Sequence, residues 1–420
     1  MRTMKESGIG WVHAIPDNWK VIKGKYVFTN DKEIVGARVD NFERLALTLN
    51  GVIKRSKDDN EGLQPEKFNT YQVLRENELV FKLIDLQNIS TSRVGLSPYL
   101  GIVSPAYIIL KGNDLIYPAF AEKYYLMMWM YEVFNALGDS GVRSSLNSSE
   151  LLELLLPLPP YDEQIRIADY LDKKNSNIDA VLEDLQEQIS LLEKHKKTIV
   201  IEKVLARDDS SIKTSNSGID YIGDIPENWT VKRGKYLFKY IQKPVRENDG
   251  VITCFRDGEV TLRSKRREDG FTIAEKEIGY QGIDEGDLII HGMDGFAGAI
   301  GISDSRGKAS PVLNVLETNQ SKKYYMYYLR AMAYRGVFIA LSTGIRIRTC
   351  DTNWRKLREL FYLVPPLDVQ NRISDYLDEK CGAIDDIIKH KKEQISNLVS
   401  LKKTIMYEYV TGKKEVLANE

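Results

Sequence analysis

The sequence predicts an α+β protein: two pseudo-two-fold-related globular α/β domains separated by a long antiparallel two-helix coiled coil. Three observations lead to this prediction. Two blocks of sequence each occur twice, and a seven-residue apolar stripe follows each copy of the second block. The length agrees, because 420 residues exceed the ~100–200 residues that usually form one domain.

The repeated blocks define two copies of one plan. Residues 15–28 (IPDNWKVIKGKYVF) and 225–238 (IPENWTVKRGKYLF) are identical at nine of 14 positions, 210 residues apart. Residues 158–172 (LPPYDEQIRIADYLD) and 364–378 (VPPLDVQNRISDYLD) are identical at ten of 15 positions, 206 residues apart. Each copy therefore has an opening Pro-x-Asn-Trp block, a middle region, a Pro-Pro-x-Asp-x-Gln block and a final long segment.

The middle regions of the two copies hardly resemble each other. Both contain short runs rich in Val, Ile and Tyr, such as Glu78–Ile84 and Asp287–His291, which predict strands joined by glycine turns. Each middle also predicts one helix, near Ala119–Leu137 and Lys322–Leu341. Their aromatic residues recur at helical spacing, so we expect these helices to face a core.

A long helix is predicted after each Pro-Pro block, because Pro160 and Pro366 stand where a helix can begin. Residues 163–206 would span about 65 Å at ~1.5 Å per residue. An unpaired apolar stripe would stay exposed to water, so we expect the two helices to pair in antiparallel orientation. Lys391 interrupts the stripe of the second helix. The expected seam residues are Leu171, Ile178, Leu182, Leu185, Ile189, Leu192 and Ile199 in the first helix, and Leu377, Ile384, Ile388, Ile395, Leu398 and Ile405 in the second.

The repeat also predicts the domain boundaries. The expected segments are a first globular domain at 1–157, a first helix at 158–206, a linker at 207–224, a second globular domain at 225–363, a second helix at 364–412 and a tail at 413–420. If the two copies are arranged alike, the tail packs against the start of the chain as the linker packs against the second domain. We therefore expect the two termini to lie close together.

Composition excludes several classes of protein. With 59 Lys and Arg against 60 Asp and Glu, the net charge is −1, which excludes a uniformly basic chain that coats nucleic acid. The three cysteines are scattered, which argues against a disulfide scaffold or a zinc knuckle and suits a reducing compartment. No apolar run approaches ~18 residues and the N-terminus has no signal-like core, so we expect a soluble, cytoplasmic protein.

The duplicated block order resembles that of the specificity subunit of type I restriction–modification systems, over essentially the whole chain. One position departs between the copies, because Glu163 of the first is Val369 in the second. The resemblance implies that each globular domain is a target-recognition domain that reads one half of a split sequence in double-stranded DNA. It also implies that the helices set the spacing and dock two methylation subunits, which restriction subunits join. S-adenosylmethionine, ATP and Mg would belong to those partners, and no cofactor is expected in this chain.

The charge of the two middle regions supports DNA contact in the second region but not in the first. Residues 230–362 carry 23 Lys and Arg against 16 Asp and Glu, whereas residues 20–157 carry 16 against 17. An excess of basic residues favours contact with phosphates, and arginine bound bidentately to guanine is the commonest specific base contact. The candidate DNA-binding residues are Lys54, Arg55, Lys57, Arg93 and Arg143 in the first middle, and Arg263, Lys265, Arg266, Arg267, Arg346 and Arg348 in the second.

For each candidate the alternative stays open. The run 263–267 is either a DNA contact or a solvated loop, and Arg346 and Arg348 are either base readers or members of surface ion pairs. Gly292, Gly295, Gly298 and Gly301 recur every third residue without a phosphate-loop motif. They indicate tight turns or close approach of the backbone to DNA.

Trp19 and Trp229 are interpreted as anchors of each globular domain on its helix and not as base-stacking platforms, since both copies keep them. Leu158-Pro159-Pro160-Tyr161 resembles an adenine-holding methyltransferase motif, but Leu158 cannot accept a hydrogen bond from the base. The four histidines lack metal-site spacing, and no catalytic set is evident, so we expect a non-catalytic chain. The alternative function is a coiled-coil adaptor with two protein-binding modules.

Overall fold

The structure is a computed structural model that describes residues 2–59, 68–84, 86, 93–138, 145–207, 211–267, 277–340 and 352–417. The chain divides into two compact units, one formed by Met1–Leu185 with Glu393–Glu420 and the other by Gln186–Lys392. Each unit contains a globular α/β module and parts of both long helices, and each is described by itself below.

The first unit begins with a strand pair and builds two four-stranded sheets, in the orders β6-β5-β10-β7 and β4-β11-β8-β9. Strands β3 and β12, which open and close the module, pair with each other antiparallel. The strands are β1 (Met4–Ile9), β2 (Val12–Pro16), β3 (Lys20–Lys23), β4 (Phe28–Thr29), β5 (Arg44–Thr48), β6 (Gly51–Arg55), β7 (Gln72–Leu74), β8 (Leu79–Phe81), β9 (Val94–Leu96), β10 (Gly101–Val103), β11 (Ile108–Gly112) and β12 (Leu155–Leu158). The helices are α1 (Pro118–Met130), α2 (Val133–Leu137), α3 (Ser148–Glu153) and the first part of α4 (Tyr161–Val204), with 3₁₀ turns at Gly24–Tyr26 and Gly36–Asn41.

The second unit follows the same plan with a different periphery. Its four-stranded sheet has the order β16-β23-β20-β21, and β15 pairs with β24 as β3 pairs with β12. The strands are β13 (Thr214–Asn216), β14 (Asp224–Pro226), β15 (Thr230–Arg233), β16 (Lys239–Ile241), β17 (Ile252–Cys254), β18 (Val260–Leu262), β19 (Gln281–Ile283), β20 (Leu288–His291), β21 (Ile300–Ile302), β22 (Gly307–Ala309), β23 (Leu313–Glu317) and β24 (Phe361–Val364). The helices are α5 (Gly234–Leu237), α6 (Arg263–Arg266), α7 (Lys322–Tyr334), α8 (Val337–Ala340), α9 (Trp354–Leu357) and part of α10 (Leu367–Val410), with a 3₁₀ turn at Gly295–Ala297.

The modules differ in the outer part of their middle regions, where the two sequences do not repeat each other. The sheet β6-β5-β10-β7 of the first module has four strands, whereas the corresponding part of the second module is made of the separate pairs β17–β18 and β19–β22. The sheet that packs on the aromatic helix is common to both. The two modules therefore share a base and carry unlike outer parts.

The aromatic helices face the cores, as expected. Tyr124 and Tyr125 of α1 and Tyr324 and Tyr325 of α7 are essentially inaccessible to solvent. The prediction of one continuous helix in each middle is wrong, because the chain turns between α1 and α2 and between α7 and α8. Glu132 has a φ of 57° at the first break and Gly336 a φ of 72° at the second, a left-handed conformation that ends a helix.

The predicted coiled-coil seam residues are buried or half-buried within each unit. Helices α4 and α10 are each 44 residues long. Leu171, Ile178 and Leu185 are buried in the first unit and Leu377, Ile384 and Ile388 in the second, and the other seam residues are half-buried. The halves run antiparallel, because Tyr170 contacts Tyr409, Asn175 contacts Met406 and Asp179 contacts Lys402.

The expected proximity of the termini is also confirmed. In the first unit Arg2 forms an ion pair with Glu415 (Nε to Oε2, 3.5 Å). A Cβ at Gly412 would lie 2.5 Å from Pro16, so the end of α10 is pressed against the opening block. The start and the end of the described chain thus complete one module together.

Candidate nucleic-acid interface

The first contact that joins a module to its long helix involves the tryptophan of the opening block. Trp19 is fully buried, and its indole Nε1 donates a hydrogen bond to the Glu163 carboxylate at the start of α4 (3.1 Å). Arg2 forms an ion pair with the same carboxylate. In the second copy Val369 is partly buried in the cluster that holds the buried Trp229. The contact with Glu163 supports the interpretation of Trp19 as an anchor, and Trp229 is buried in a core cluster that also contains residues of α10.

The glutamine of the Pro-Pro block joins each long helix to its module. Gln164 accepts a hydrogen bond from the backbone N–H of Tyr117, directly before α1, and donates to the carbonyls of Leu115 and Pro159. Its repeat equivalent, Gln370, accepts from the N–H of Ser321, directly before α7. A buried amide needs all of its hydrogen bonds, so this residue orients the aromatic helix on the long helix in both units.

Two repeat-equivalent ion pairs join the long helices. In the first unit the Lys402 ammonium lies 2.6 Å from Asp179, and in the second unit Lys196 lies 2.5 Å from Asp385. Both partners of one pair are displaced by 206 residues from those of the other. Lys391, which interrupts the second apolar stripe, donates a hydrogen bond to Gln188 at the half-buried edge of the seam. Polar contacts at fixed seam positions specify the register of paired helices.

In the first module the basic run 54–57 lines an open hollow of about 470 Å³ together with residues 40–44. Lys54 and Arg55 end β6, and Lys57 follows it. Lys54 pairs with Glu43 (2.7 Å), and that hydrogen bond raises the pKa of the lysine. Arg55 pairs with Asp59, and Lys57 donates to the carbonyl of Val39. The three cations are therefore brought together, each held by an acceptor of the module.

Arg93 does not belong to this surface, which corrects its assignment as a DNA contact. Its side chain is almost completely buried, and its guanidinium donates to the carbonyl of Ile84 inside the module. The physical reason is its place in the sheet, because the Arg93 carbonyl accepts from Lys82 and extends the β8–β9 pairing. A buried cation that satisfies a backbone carbonyl cannot reach a phosphate or a base.

The second module has a larger hollow, of about 690 Å³, beside α6. The residues 263–266 form this short helix, and none of them is buried. The cationic residues that line the hollow are Arg256, Arg263, Arg266 and Arg267, together with His291. Three arginines of the densest basic run of the sequence, Arg263, Arg266 and Arg267, thus line one concave surface.

The arginines of this hollow are oriented by other residues of the module. Arg266 pairs with Asp257 and Glu259, and its guanidinium lies 3.9 Å from the centroid of the Phe255 ring. Arg263 donates to Thr253. Burial raises the pKa of Asp257, but the hydrogen bonds from Arg266 and from the Glu259 backbone N–H, together with the positive charges of Arg266 and Arg330, lower it by more, so the net pKa lies below the usual value. These contacts fix α6 while the rest of each guanidinium borders the hollow.

Lys265, also predicted as a DNA contact, lies outside the hollow and reaches the opposite side of α6. Its ammonium donates to the Ser305 hydroxyl (2.6 Å) and lies 3.4 Å from Asp304. Its side chain is half exposed. Arg143, Arg346 and Arg348, the remaining candidates, lie outside the described residues.

His291 forms part of the wall of the second hollow. Its Nδ1 accepts hydrogen bonds from the backbone N–H groups of Met293 and Asp294, and burial lowers its pKa, so the ring is neutral near pH 7. The nearby glycines pack against the module itself: a Cβ at Gly301 would lie 2.0 Å from the carbonyl of Gly258, and Gly298 has a φ of 99°. They form tight turns, and their close contacts are with the protein backbone.

Sequence reasoning missed three residues of these hollows. Arg44 lies on β5 and lines the first hollow. Arg256, which pairs with Asp294, and Phe255 both line the second hollow. None belongs to a basic run. The one signal for Arg256 is its place directly after a short strand-like run, Val251–Phe255.

Within the described parts of the chain, no group of three or more His, Cys, Asp and Glu side chains is arranged to hold a metal ion. Among the described helices, none is both long and apolar enough to cross a membrane.

Comparison with known proteins agrees with the repeated blocks. No family model matches the chain. The putative type I restriction enzyme MjaX specificity subunit of Methanocaldococcus jannaschii is 23% identical over 437 aligned residues, which cover 98% of this chain and 96% of that protein.

A solved structure with a TM-score above 0.5 shares the fold. A chain from a structure of the type I restriction–modification system, described for its complex assembly and conformational transition, has a TM-score of 0.62 at 15% identity. The match covers 95% of this chain and 99% of that one. The HsdS subunit from Thermoanaerobacter tengcongensis has a TM-score of 0.47 at 15% identity, with 95% and 98% covered.

The fold and the site define a class of protein with two unlike α/β modules, each built on a pair of antiparallel helices by the same contacts. The expected fold class is confirmed. The resemblance inferred from the repeated blocks is confirmed as well: in block order, in whole-length sequence and in fold, the chain resembles the specificity subunits of type I restriction–modification systems.

Proposed function

We propose that this chain is the DNA sequence-specificity subunit of a type I restriction–modification complex, in which each module reads one half of a bipartite target. The observation that carries the proposal is the combination of a repeated base with unlike outer parts. Buried tryptophans, glutamine hydrogen bonds and ion pairs between the long helices recur at equivalent positions in both units, whereas the outer strands differ. A constant base with variable outer parts suits two readers of different sequences.

The hollows of both modules support DNA as the ligand. Each collects basic side chains on a concave surface, with lysines and arginine at Lys54–Lys57 in the first module and arginines around α6 in the second. Arginines held by carboxylates present a guanidinium of fixed direction, which bidentate recognition of a base requires. The basic excess of the second module further favours phosphate contact.

The long helices would set the distance between the half-sites and dock two methylation subunits. A paired seam with ion pairs at fixed positions gives a spacer of constant length, so the DNA between the half-sites is selected by length and not by base identity. In this proposal restriction subunits join the complex and the chain acts in the cytoplasm, where it meets the DNA.

In this proposal the chain is not itself an enzyme. Methyl transfer from S-adenosylmethionine and cleavage driven by ATP and Mg belong to the partner subunits, and the hollows supply recognition alone.

Methylation reconstituted from purified components tests the proposal. Methylation subunits and S-adenosylmethionine are incubated with a random DNA library, with and without this chain, and the modified sites are sequenced. We expect methylation at one two-part sequence with a fixed spacer only when the chain is present. A pattern that is independent of the chain would contradict the proposal and favour a protein-binding adaptor.

A further inference from the structure

Two exposed tyrosines occupy equivalent positions in the repeated opening blocks. Tyr26 and Tyr236 have 64% and 74% of their surface exposed, and they are the two most exposed tyrosines among the described residues. The phenylalanines that follow two positions later, Phe28 and Phe238, are buried in the module cores. The fold therefore uses the rest of the block for packing and leaves this ring in solvent in both copies.

Each tyrosine belongs to a small cluster of charged residues that is also repeated. In the first unit the Lys25 ammonium lies 5.7 Å from the Tyr26 ring centroid and 2.6 Å from Glu153, which also pairs with Lys23. Hydrogen bonds from Lys23 and Lys25 lower the pKa of Glu153 to about 2.

The second unit repeats this arrangement with one conservative change. Lys235 lies 5.5 Å from the Tyr236 ring centroid and 3.5 Å from Glu359, and Arg233, in the place of Lys23, lies 3.4 Å from the same carboxylate. We call these two clusters the Lys–Tyr patches: Lys23, Lys25, Tyr26 and Glu153 in the first unit, and Arg233, Lys235, Tyr236 and Glu359 in the second.

The backbone beneath each patch is fixed. A Cβ at Gly24 would lie 3.2 Å from the carbonyl of Leu152, and one at Gly234 would lie 2.5 Å from the carbonyl of Leu357. The glycines thus hold the turn that carries Lys25 and Tyr26, or Lys235 and Tyr236, against the end of a short helix. A side chain on a fixed turn loses little conformational freedom when it binds, which favours affinity.

Packing does not explain why an exposed aromatic ring is retained in both copies. The outer strands of the modules have diverged, and the exposed side chains Leu49 and Ile278 lie outside the repeated blocks. At the exposed equivalent positions of the second block, Tyr161 of one copy is Leu367 in the other, so no ring is kept there. Identical exposed chemistry on two otherwise unlike modules points to a ligand that is the same for both. Half-sites of an asymmetric DNA target differ from each other, so DNA bases do not meet this requirement.

The chemistry of the patches favours a protein over the DNA backbone. Each patch has a carboxylate between its two cations, and a phosphate approaching the cations would meet that negative charge. Exposed tyrosine is enriched at the centre of protein interfaces, where its ring fills an apolar pocket and its hydroxyl keeps a polar contact.

We propose that the Lys–Tyr patches are two equivalent docking points for two copies of one protein, and that this protein is the methylation subunit, an identification that rests on the function proposed above. The partner surface would offer an apolar pocket for the tyrosine ring with an acidic rim facing the two cations. Contact at the patches adds a module-borne attachment to the docking assigned to the long helices.

Titration of the full-length chain with the purified methylation subunit of the same system, without DNA, tests the proposal. The variants are Tyr26→Ala, Tyr236→Ala and the double variant, and the controls are Leu49→Ala and Ile278→Ala, which remove comparably exposed side chains outside the repeat. We expect two sites on the wild-type chain. Each single variant should weaken one of them by about tenfold, and the double variant both, as for an interface residue of high energetic contribution. The controls should bind like the wild type.

Three results would overturn the proposal in distinguishable ways. Wild-type affinity in the double variant would refute the patches while leaving the proposed function intact. Loss of duplex DNA affinity in the double variant, measured without the subunit, would make the patches DNA contacts. A wild-type chain that does not bind the methylation subunit would refute the proposed function together with its docking points.

Discussion

The seam of the long helices leads to a graded prediction at neighbouring leucines of α4. Leu185 is 8% exposed and Leu191, six residues later, is 55% exposed. Truncation of a core leucine to alanine usually destabilises by ~2–5 kcal/mol, and a two-helix seam can partly close around the gap, so we expect about 2 kcal/mol for Leu185→Ala. Leu191→Ala is a matched control on the same helix and should lie within ~0.5 kcal/mol of the wild type.

Hydrogen–deuterium exchange of peptides from the middle of α4 measures this difference. A loss of about 2 kcal/mol in opening free energy should accelerate exchange roughly 30-fold in Leu185→Ala, and Leu191→Ala should exchange within about twofold of the wild type. Leu185→Asp should be more severe, because it also buries a carboxylate without a partner, and it should abolish assembly with the methylation subunits. Equal acceleration by Leu185→Ala and Leu191→Ala would refute the seam assignment.

Three further predictions concern charges. Lys402→Asp should lower the free energy of unfolding of the first unit by about 0.5–1 kcal/mol in urea unfolding. The added change Asp179→Lys should restore most of that loss. No recovery would show that the ion pair does not act across the helices. Arg256→Ala should weaken binding to the cognate duplex by ~1–3 kcal/mol in fluorescence anisotropy, while the affinity for random-sequence DNA stays nearly the same. An equal loss of affinity for both DNAs would show that Arg256 contacts a phosphate and not a base. Burial lowers the pKa of His291 in the folded state below its unfolded value of ~6.5. At a pH near or below that value the unfolded chain therefore binds more protons than the folded one, so the second unit should lose stability as the pH falls from about 7.5 to about 5.5. In His291→Asn, whose amide oxygen can still accept from the backbone, that loss should be smaller, and an unchanged pH profile would contradict the assignment.

The frame was predictable because it depends on patterns that repeat. Identical blocks at nearly one offset revealed the two copies, and the seven-residue period of Leu and Ile predicted the seam, whose members are buried or half-buried in the long helices. The buried tryptophans followed from the same logic. Such features arise from local periodicity and from internal comparison, both of which are present in one sequence.

The outer parts were less predictable because they depend on contacts between distant residues. The break after α1 at Glu132 needs a left-handed residue that is not glycine, which sequence does not mark. Arg93 follows a polar run and looks exposed, but strand pairing carries it into the interior. Arg256 has no basic neighbour in sequence and reaches the hollow because β17 and α6 lie side by side there.

Exchange of one module tests the central claim most directly. The residues 239–363 are replaced by the corresponding region of a specificity subunit with a different known target, and methylated bases are sequenced across the genome of cells that carry either chain. One half of the methylated sequence should change, while the other half and the number of bases between them stay the same. Change in both halves, or in neither, would contradict a chain in which each module reads its own part of the target.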